Sequence, residues 1–238
     1  MLFDAYGTLF DVYSVALLAE QLFPGCGQAL SVVWRDKQIE YSRLVTTCND
    51  GAHYRPFWDL TRAALIFAIK KVVPDAGAAG AGAEFDEKFG VALERLMNQY
   101  RHLSAYPENR QVLLALQARG IPAGILSNGD PAMLQLAVKS AGLSDLLTHV
   151  ISVDAVRRYK THPAAYALGE QTLGLPAREV LFVSSNAWDA LGATWYGYTT
   201  LWVNRNHQPF EELGTQPTRS ASNLRAVLEF FTTADNNL

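Results

Sequence analysis

The chain has 238 residues, enough for one or two domains of about 100–200 residues each, with a hydrophobic core that needs no disulfides or structural metals. Hydrophobic residues make up 49% of the chain and charged residues 18%, which excludes a disordered, collagen-like or coiled-coil protein. The formal net charge of −3 excludes the strongly basic surface that attracts nucleic acid or anionic lipid.

Neither the cysteines nor the amino terminus indicates a secreted protein. Cys26 and Cys48 cannot form a disulfide framework, and no CxxC motif or Cys/His cluster suggests zinc. No basic segment precedes an apolar stretch at the amino terminus, and apolar stretches such as residues 63–69 are much shorter than the ~20 residues that span a bilayer. We therefore expect a cytoplasmic protein with no membrane or nucleic-acid partner.

From about residue 14 to residue 104 the sequence is helical in pattern, with no convincing strand. Residues 32–44 place apolar groups beside charged ones at the spacing of an amphipathic helix, and residues 55–73 and 85–102 continue in this style. Between the last two, residues 74–84 are rich in Gly and Ala and predict a flexible surface connection.

From Pro107 onward, predicted helices alternate with short apolar strands. Pro107 predicts the start of a helix and Gly120 its end. Strands are expected at residues 1–3, 121–126, 149–152, 180–183 and 200–203, and later helices from Pro131 and at residues 163–173, 187–196 and 222–231. Apolar strands separated by helices indicate a parallel sheet covered on both faces. We therefore expect an α/β, doubly wound, Rossmann-like core (residues 1–13 and 105–238), with a helical cap subdomain (residues 14–104) inserted after the first strand.

Polar residues follow four of the predicted strands. Asp4 follows the first strand, and Ser127 and Asn128 follow the strand at residues 121–126. Asp154 comes after the strand at residues 149–152, and residues 184–186 come after the strand at residues 180–183. Each cluster alone is common turn chemistry. Together they predict a functional site, because reactive groups in such sheets gather beyond the carboxyl ends of the strands. Only three residues precede Asp4, whereas a strand usually has about 5–6 residues. We therefore expect either a chain that starts upstream or an unusually short first strand.

The segment FDAYGTLFD carries the chemical signature. An acid directly after a buried strand, followed by Gly7 for a tight turn and then by Thr8, presents a carboxylate at the edge of the sheet. The segment resembles the first motif of the haloacid dehalogenase superfamily, a nucleophilic Asp followed by x-x-Gly-Thr. The other motifs of that superfamily follow in order, at Ser127, Lys160 and Asp189.

Two positions argue against the phosphatases of this superfamily, which carry a second Asp two residues after the nucleophile and hold magnesium. That position is Tyr6 here, which lacks the carboxylate oxygens that magnesium prefers. The acidic pair common in the last phosphatase motif is reduced to Asp189. The stretches WRDKQIEY (residues 34–41) and FVSSNAWD (residues 182–189) resemble the (S)-2-haloacid dehalogenases instead.

This resemblance implies a hydrolase without metal or cofactor. It would convert short (S)-2-haloalkanoic acids to (R)-2-hydroxy acids through a covalent aspartyl ester, with the haloacid and the halide ion as its ligands, and it would form a homodimer. Asp4 would attack the halogen-bearing carbon, Lys160 would stabilise the charge of Asp4, and Arg35 would receive the halide. Alternatively, Arg35 belongs to a solvated helix face with Asp36 and Glu40.

The resemblance assigns supporting roles to further residues. The substrate carboxylate would be held by the side chains of Ser127 and Asn128 and the backbone amides of Ala5 and Tyr6. The nucleophile and its neighbours would be oriented by Thr8 and Tyr166. The water of the second step would be held by Ser184, Asn186 and Asp189. Asp189 would be either the base or an electrostatic anchor of Lys160.

An apolar wall around the substrate is the last part of the implied site. It would consist of Tyr6, Ile39, Phe57 and Trp188, for which ordinary core packing is the alternative. Two other functions remain open: a hydrolase of the same fold acting on fluoroacetate or a phosphate ester, and a non-catalytic binding protein. The presence of Asp4, Lys160, Asp189 and Arg35 favours an enzyme.

Overall fold

The computed structural model describes residues 1–78 and 82–231. Its strands and helices are, in chain order, β1 (Leu2–Phe3), α1 (Ala16–Leu22), α2 (Gly27–Thr47), α3 (Phe57–Val72), α4 (Ala83–Arg101), α5 (Asn109–Ala118), β2 (Gly124–Ser127), α6 (Pro131–Ser140), β3 (His149–Ser152), α7 (Pro163–Leu173), β4 (Leu181–Ser184), α8 (Ala187–Tyr196), β5 (Thr199–Val203) and β6 (Arg219–Ala221). No helix in these two ranges is long and apolar enough to span a membrane.

The chain divides into two compact units. Met1–Phe10 and Ala105–Leu238 form the first, called here the core unit, and Asp11–Ser104 forms the second, called the cap unit. The expected cap subdomain covers residues 14–104. The cap unit therefore differs from it by three residues at the amino end.

The core unit is built on a six-stranded parallel sheet with the order β3-β2-β1-β4-β5-β6. The short strand β1 lies in the middle, where Leu2 is paired with Gly124 on one side and with Phe182 on the other. All residues of β1, β2 and β4 are buried, as expected for strands covered on both faces. The strand order reverses at β1, so the crevice where such sheets bind ligands lies beyond the carboxyl ends of β1 and β4. The predicted doubly wound α/β fold is confirmed.

Three details of the core unit differ from the prediction. Helix α5 begins at Asn109, because Pro107 lies in a turn closed by a hydrogen bond from the Asn109 amide to the Tyr106 carbonyl (3.1 Å). Strand β6 was not predicted, since it is short and mostly exposed and has no apolar run. The last predicted helix is a 3₁₀ helix over Leu224–Phe231.

The cap unit consists of α1 to α4, and α2 packs against both α1 and α3. At the start of α2 the chain runs against α1, where a Cβ atom on Gly27 would lie 2.6 Å from the Glu20 amide nitrogen. The Glu20 carboxylate accepts hydrogen bonds from the amides of Gly25 and Gly27, which lower its pKa. Part of the predicted flexible connection, residues 79–81, lies outside the described residues, and the part before it forms a 3₁₀ turn at Ala76–Ala78.

Candidate active site

A tight loop after β1 presents Asp4 at the carboxyl edge of the sheet. The Asp4 amide donates to the Val183 carbonyl (2.8 Å), which joins the start of the loop to β4. Gly7 has a φ of +98°, a conformation that L side chains rarely adopt, and a Cβ atom there would lie 3.4 Å from Asn186 Oδ1. The glycine therefore lets the loop turn back against Asn186.

Three donors from three parts of the core unit hold the Asp4 carboxylate. Thr8 Oγ1 and Asn186 Nδ2 donate to Asp4 Oδ2 at 3.0 and 2.9 Å, and Lys160 Nζ donates to Oδ1 at 3.1 Å. Thr8 Oγ1 also accepts from the Ser185 amide at 2.8 Å, so its own proton is directed to Asp4. With 5% of Asp4 exposed, the carboxylate is largely desolvated and its orientation is fixed.

Lys160 lies between two buried carboxylates. Its Nζ atom is 3.1 Å from Asp4 Oδ1 and 3.0 Å from Asp189 Oδ2, and it lies 4.8 Å from the centre of the Phe182 ring. The Lys160 and Asp189 side chains are completely buried. One ammonium group thus compensates two carboxylates in a dry environment, where the charges interact strongly.

The second carboxylate of this group, Asp189, also accepts a hydrogen bond from Tyr166. The distance between Tyr166 OH and Asp189 Oδ1 is 2.8 Å. Burial raises the pKa of Asp189; the Lys160 charge counteracts this, and the Asp4 charge adds to it. Burial and the negative charge of Asp189 keep the pKa of Tyr166 well above its ordinary value, so the phenol stays a neutral donor. Tyr166 therefore orients Asp189 rather than the predicted nucleophile itself.

Three predicted polar residues shape the turns that follow β2 and β4. Ser127 Oγ accepts from the Gly129 amide (3.1 Å), and Ser184 Oγ accepts from the Asn186 amide (3.2 Å). Asn128 Oδ1 accepts from the Lys160 amide (2.9 Å) and so positions the backbone that carries the ammonium group.

The remaining predicted residues of the core unit lie close to this cluster in the chain. Ala5 and Tyr6 are buried, and the Tyr6 ring is tilted against Phe10, with 6.2 Å between ring centres. The Tyr6 carbonyl accepts from Asn186 Nδ2 at 3.1 Å. Trp188 is half-buried in the first turn of α8.

Three predicted residues belong to the cap unit, namely Arg35 and Ile39 on α2 and Phe57 at the start of α3. Arg35 is 8% exposed, and its Nη1 atom donates to a neighbouring side chain on α2. Asp36 and Glu40 are exposed. Arg35 is therefore not part of a solvated face with these two acids, and that alternative interpretation is wrong. Ile39 is half-buried and Phe57 is buried.

Comparison with known proteins decides the family. Residues 1–197 match the haloacid dehalogenase-like hydrolases. The chain belongs to this family. An (S)-2-haloacid dehalogenase from Pseudomonas sp. (strain YL) is 41% identical over 98% of this chain and 94% of its own length. The sequence-based assignment to the haloacid dehalogenase superfamily, in its (S)-2-haloacid dehalogenase branch, is confirmed.

Solved structures of haloacid dehalogenases agree in fold along nearly the whole chain. One L-2-haloacid dehalogenase is 53% identical, has a TM-score of 0.88 and is matched over 96% of both chains. The L-2-haloacid dehalogenase from Xanthobacter autotrophicus with chloropropionic acid covalently bound is 35% identical, has a TM-score of 0.84, and covers 100% of this chain and 98% of its own.

The magnesium ion of the phosphatases in the haloacid dehalogenase superfamily does not fit the residues of this chain. The position of the second motif-one acid is Tyr6, a buried aromatic residue. The two acids that remain, Asp4 and Asp189, are both bound to Lys160 Nζ. Within the described ranges, no group of three or more His, Cys, Asp or Glu side chains could hold a metal ion.

One residue that supports the loop carrying Asp4 was not predicted. Arg205 Nη2 donates to the Thr8 carbonyl (3.2 Å), Nη1 forms an ion pair with Glu108, and the guanidinium lies 3.7 Å from the centre of the Tyr106 ring. No motif marks Arg205, because it is a single arginine in a loop after β5 whose partners are far away in sequence.

Proposed function

We propose that the chain hydrolyses short (S)-2-haloalkanoic acids to (R)-2-hydroxy acids, without a metal ion, through a covalent ester on Asp4. The observation that carries the proposal is the buried, oriented Asp4 carboxylate 3.1 Å from Lys160 Nζ. The covalently bound chloropropionic acid in a relative supports it. Action in the cytoplasm as a homodimer is part of the proposal and rests on the resemblance.

In the first step, an Asp4 oxygen attacks C2 of the substrate on the side opposite the halogen. A carbon–oxygen bond forms, the carbon–halogen bond breaks with its electron pair leaving on the halide, and the configuration at C2 is inverted. A carboxylate is a weak nucleophile in water, so the burial and fixed orientation of Asp4 supply the activation. We assign the departing halide to Arg35, whose weakly hydrated guanidinium suits a large anion.

The substrate carboxylate is assigned to groups at the ends of β1 and β2. Ser127 Oγ accepts from Gly129, so its own proton remains to be donated. The buried amide of Ala5 donates to no other residue within the described ranges. Such loop amides commonly bind anions, and they would hold the substrate with C2 directed to Asp4.

In the second step, water attacks the carbonyl carbon of the Asp4 ester and gives one proton to a base. The acyl–oxygen bond breaks with its electron pair on the leaving alkoxide, which takes that proton to become the hydroxy acid, and the Asp4 acid loses the second proton to solvent. We assign the role of that base to Asp189. Its raised pKa makes it a stronger base than an ordinary aspartate, and Tyr166 and Lys160 hold both of its oxygens.

The Asp189→Asn variant should slow ester hydrolysis by about 10²- to 10⁴-fold, the usual contribution of a general base. The first step should proceed, so the substrate adduct should accumulate on Asp4 and appear as a mass increase in the amino-terminal peptide. The exposed Asp145→Asn variant is the matched control and should behave as wild type. If Asp189 is only an anchor of Lys160, adduct formation slows as well and no adduct accumulates.

Halide release should occur from (S)-2-chloropropionate but not from its (R) enantiomer, and excess chelator should leave the rate unchanged. The chelator should have no effect because Tyr6 and the two acids bound to Lys160 provide no magnesium site. Activity lost in chelator and restored by magnesium would contradict the metal-free mechanism. Fluoroacetate and p-nitrophenyl phosphate, tested in parallel, separate the alternative substrates, and binding without turnover of any of them would indicate a binding protein.

A further inference from the structure

A buried polar network joins three helices of the cap unit at Gln38. Arg35 Nη1 and the Tyr100 hydroxyl donate to Gln38 Oε1 at 2.7 and 3.1 Å, and Gln38 Nε2 donates to Thr61 Oγ1 at 2.7 Å. Arg35 and Gln38 lie on α2, Thr61 on α3 and Tyr100 on α4. Gln38 and Thr61 are completely buried. A completely buried amide with a hydrogen bond at each end calls for a reason.

The direction of the hydrogen bonds fixes the orientation of the Gln38 amide. Thr61 Oγ1 donates its only proton to the Phe57 carbonyl (2.7 Å), so toward Gln38 it can act only as an acceptor. The Nε2 end of the amide must therefore face Thr61, and the Oε1 end must face Arg35. The Tyr100 hydroxyl donates to the same oxygen and supports this orientation.

The residue type at position 38, at the centre of this network, matters for the charge of Arg35. An amide oxygen holds a guanidinium in place with a dipole and leaves its positive charge in full, whereas a carboxylate at the same position would form a buried ion pair and neutralise it. An arginine that must attract an anion needs the first kind of partner.

We propose that Gln38 is a positioning residue for halide binding, which orients the Arg35 guanidinium through a neutral acceptor and thereby preserves its charge for the departing halide. The proposal rests on the proposed function, because it requires Arg35 to receive the halide. Thr61 takes part by fixing the direction of the Gln38 amide.

The test is the Gln38→Glu variant, which changes the size of the side chain little and adds one negative charge beside Arg35. Chloride binding, followed by the broadening of the chloride-35 NMR line, should weaken by about 10- to 100-fold. Adduct formation on Asp4 in a single turnover should slow, while hydrolysis of the adduct once formed should keep its rate. A merely structural role would change both steps or neither.

Three further variants make the result specific. Gln28→Glu adds the same charge at an exposed position of α2 and should leave chloride binding unchanged. Thr61→Val removes the hydroxyl that orients the Gln38 amide and should weaken chloride binding to a smaller extent, which keeps the proposal testable if Gln38→Glu does not fold. Arg35→Lys keeps the charge but loses the planar fork, and it should weaken chloride binding.

The outcomes separate the two proposals. If Arg35→Lys weakens chloride binding and neither Gln38→Glu nor Thr61→Val does, the role of Gln38 is overturned and the halide site stands. If Arg35→Lys leaves chloride binding and turnover unchanged, Arg35 is not the halide acceptor and both assignments fall. Weakened binding in all three variants, with Gln28→Glu unaffected, supports both.

Discussion

The Asp4→Asn variant is expected to lose essentially all halide release, a fall of about 10⁴-fold or more, because it removes the proposed nucleophile. The substitution is nearly isosteric and leaves Lys160 paired with Asp189, 3.0 Å away, so the fold should survive. An unchanged circular dichroism spectrum and unfolding midpoint would show that the loss is chemical. The exposed Asp145→Asn variant controls for the change of charge.

Isotope labelling tests the same residue in the wild-type protein. In a single turnover in oxygen-18 water with enzyme in excess, the hydroxy acid should be unlabelled, because its new oxygen comes from Asp4. After many turnovers, the heavy oxygen should be present in the Asp4 carboxylate, located by mass spectrometry of the amino-terminal peptide. A first-turnover product that carries the heavy oxygen would mean that water attacks the substrate directly and that Asp4 acts as a base.

The site residues that could be predicted from the sequence are those that belong to short sequence motifs. Asp4 directly follows β1, Lys160 lies in the segment between β3 and α7, and Asp189 lies in the first turn of α8 after β4. Parallel strands bring the segments at their carboxyl ends to one edge of the sheet. The resemblance placed these residues in one mechanism, and the structure places Lys160 Nζ 3.1 Å from Asp4 Oδ1 and 3.0 Å from Asp189 Oδ2. The pattern of polar residues after the strands and the family resemblance were both needed to name this cluster.

What the sequence could not show is which partner each polar side chain takes. The Gln38 network joins three helices, and its partners Thr61 and Tyr100 are 23 and 62 residues away along the chain. No periodicity encodes such a contact. The same holds for Arg205, whose carbonyl partner on Thr8 is 197 residues away. The expectation that Tyr166 orients Asp4 and its neighbours named no single partner, and the structure gives Asp189 as the one that its hydroxyl contacts.

Strand β6 and the start of α5 were missed for a different reason. The residues of β6, Arg219–Ala221, are polar or small, and they form a strand because they pair with β5 at the edge of the sheet. Pro107 fits the first turn of a helix and the second position of a β-turn equally well, and the hydrogen bond from Asn109 to Tyr106 selects the turn. Tertiary contacts, rather than local preference, decide both cases.

The Lys160→Met variant is expected to lose both activity and stability. It leaves Asp4 and Asp189 as two buried carboxylates without their shared cation, and breaking a buried ion pair in this way costs about 3–5 kcal/mol of the free energy of unfolding. Urea unfolding measures the loss. The exposed Lys139→Met variant is the matched control and should change the free energy of unfolding by less than about 0.5 kcal/mol.

The double variant Lys160→Met with Asp189→Asn separates the electrostatic cause from a packing defect. Removing one of the two unpaired charges should recover more than half of the lost stability without restoring halide release. The single Lys160→Met variant should also recover as the pH is lowered from about 7 to about 5. Without the Lys160 charge, burial and the Asp4 charge raise the pKa of Asp189 further. Lowering the pH protonates an acid whose pKa is raised in the folded state, and this removes the cost of burying its charge. A stability deficit that persists in the double variant and at low pH would mean that Lys160 stabilises the fold through its packing against Phe182 rather than through its charge.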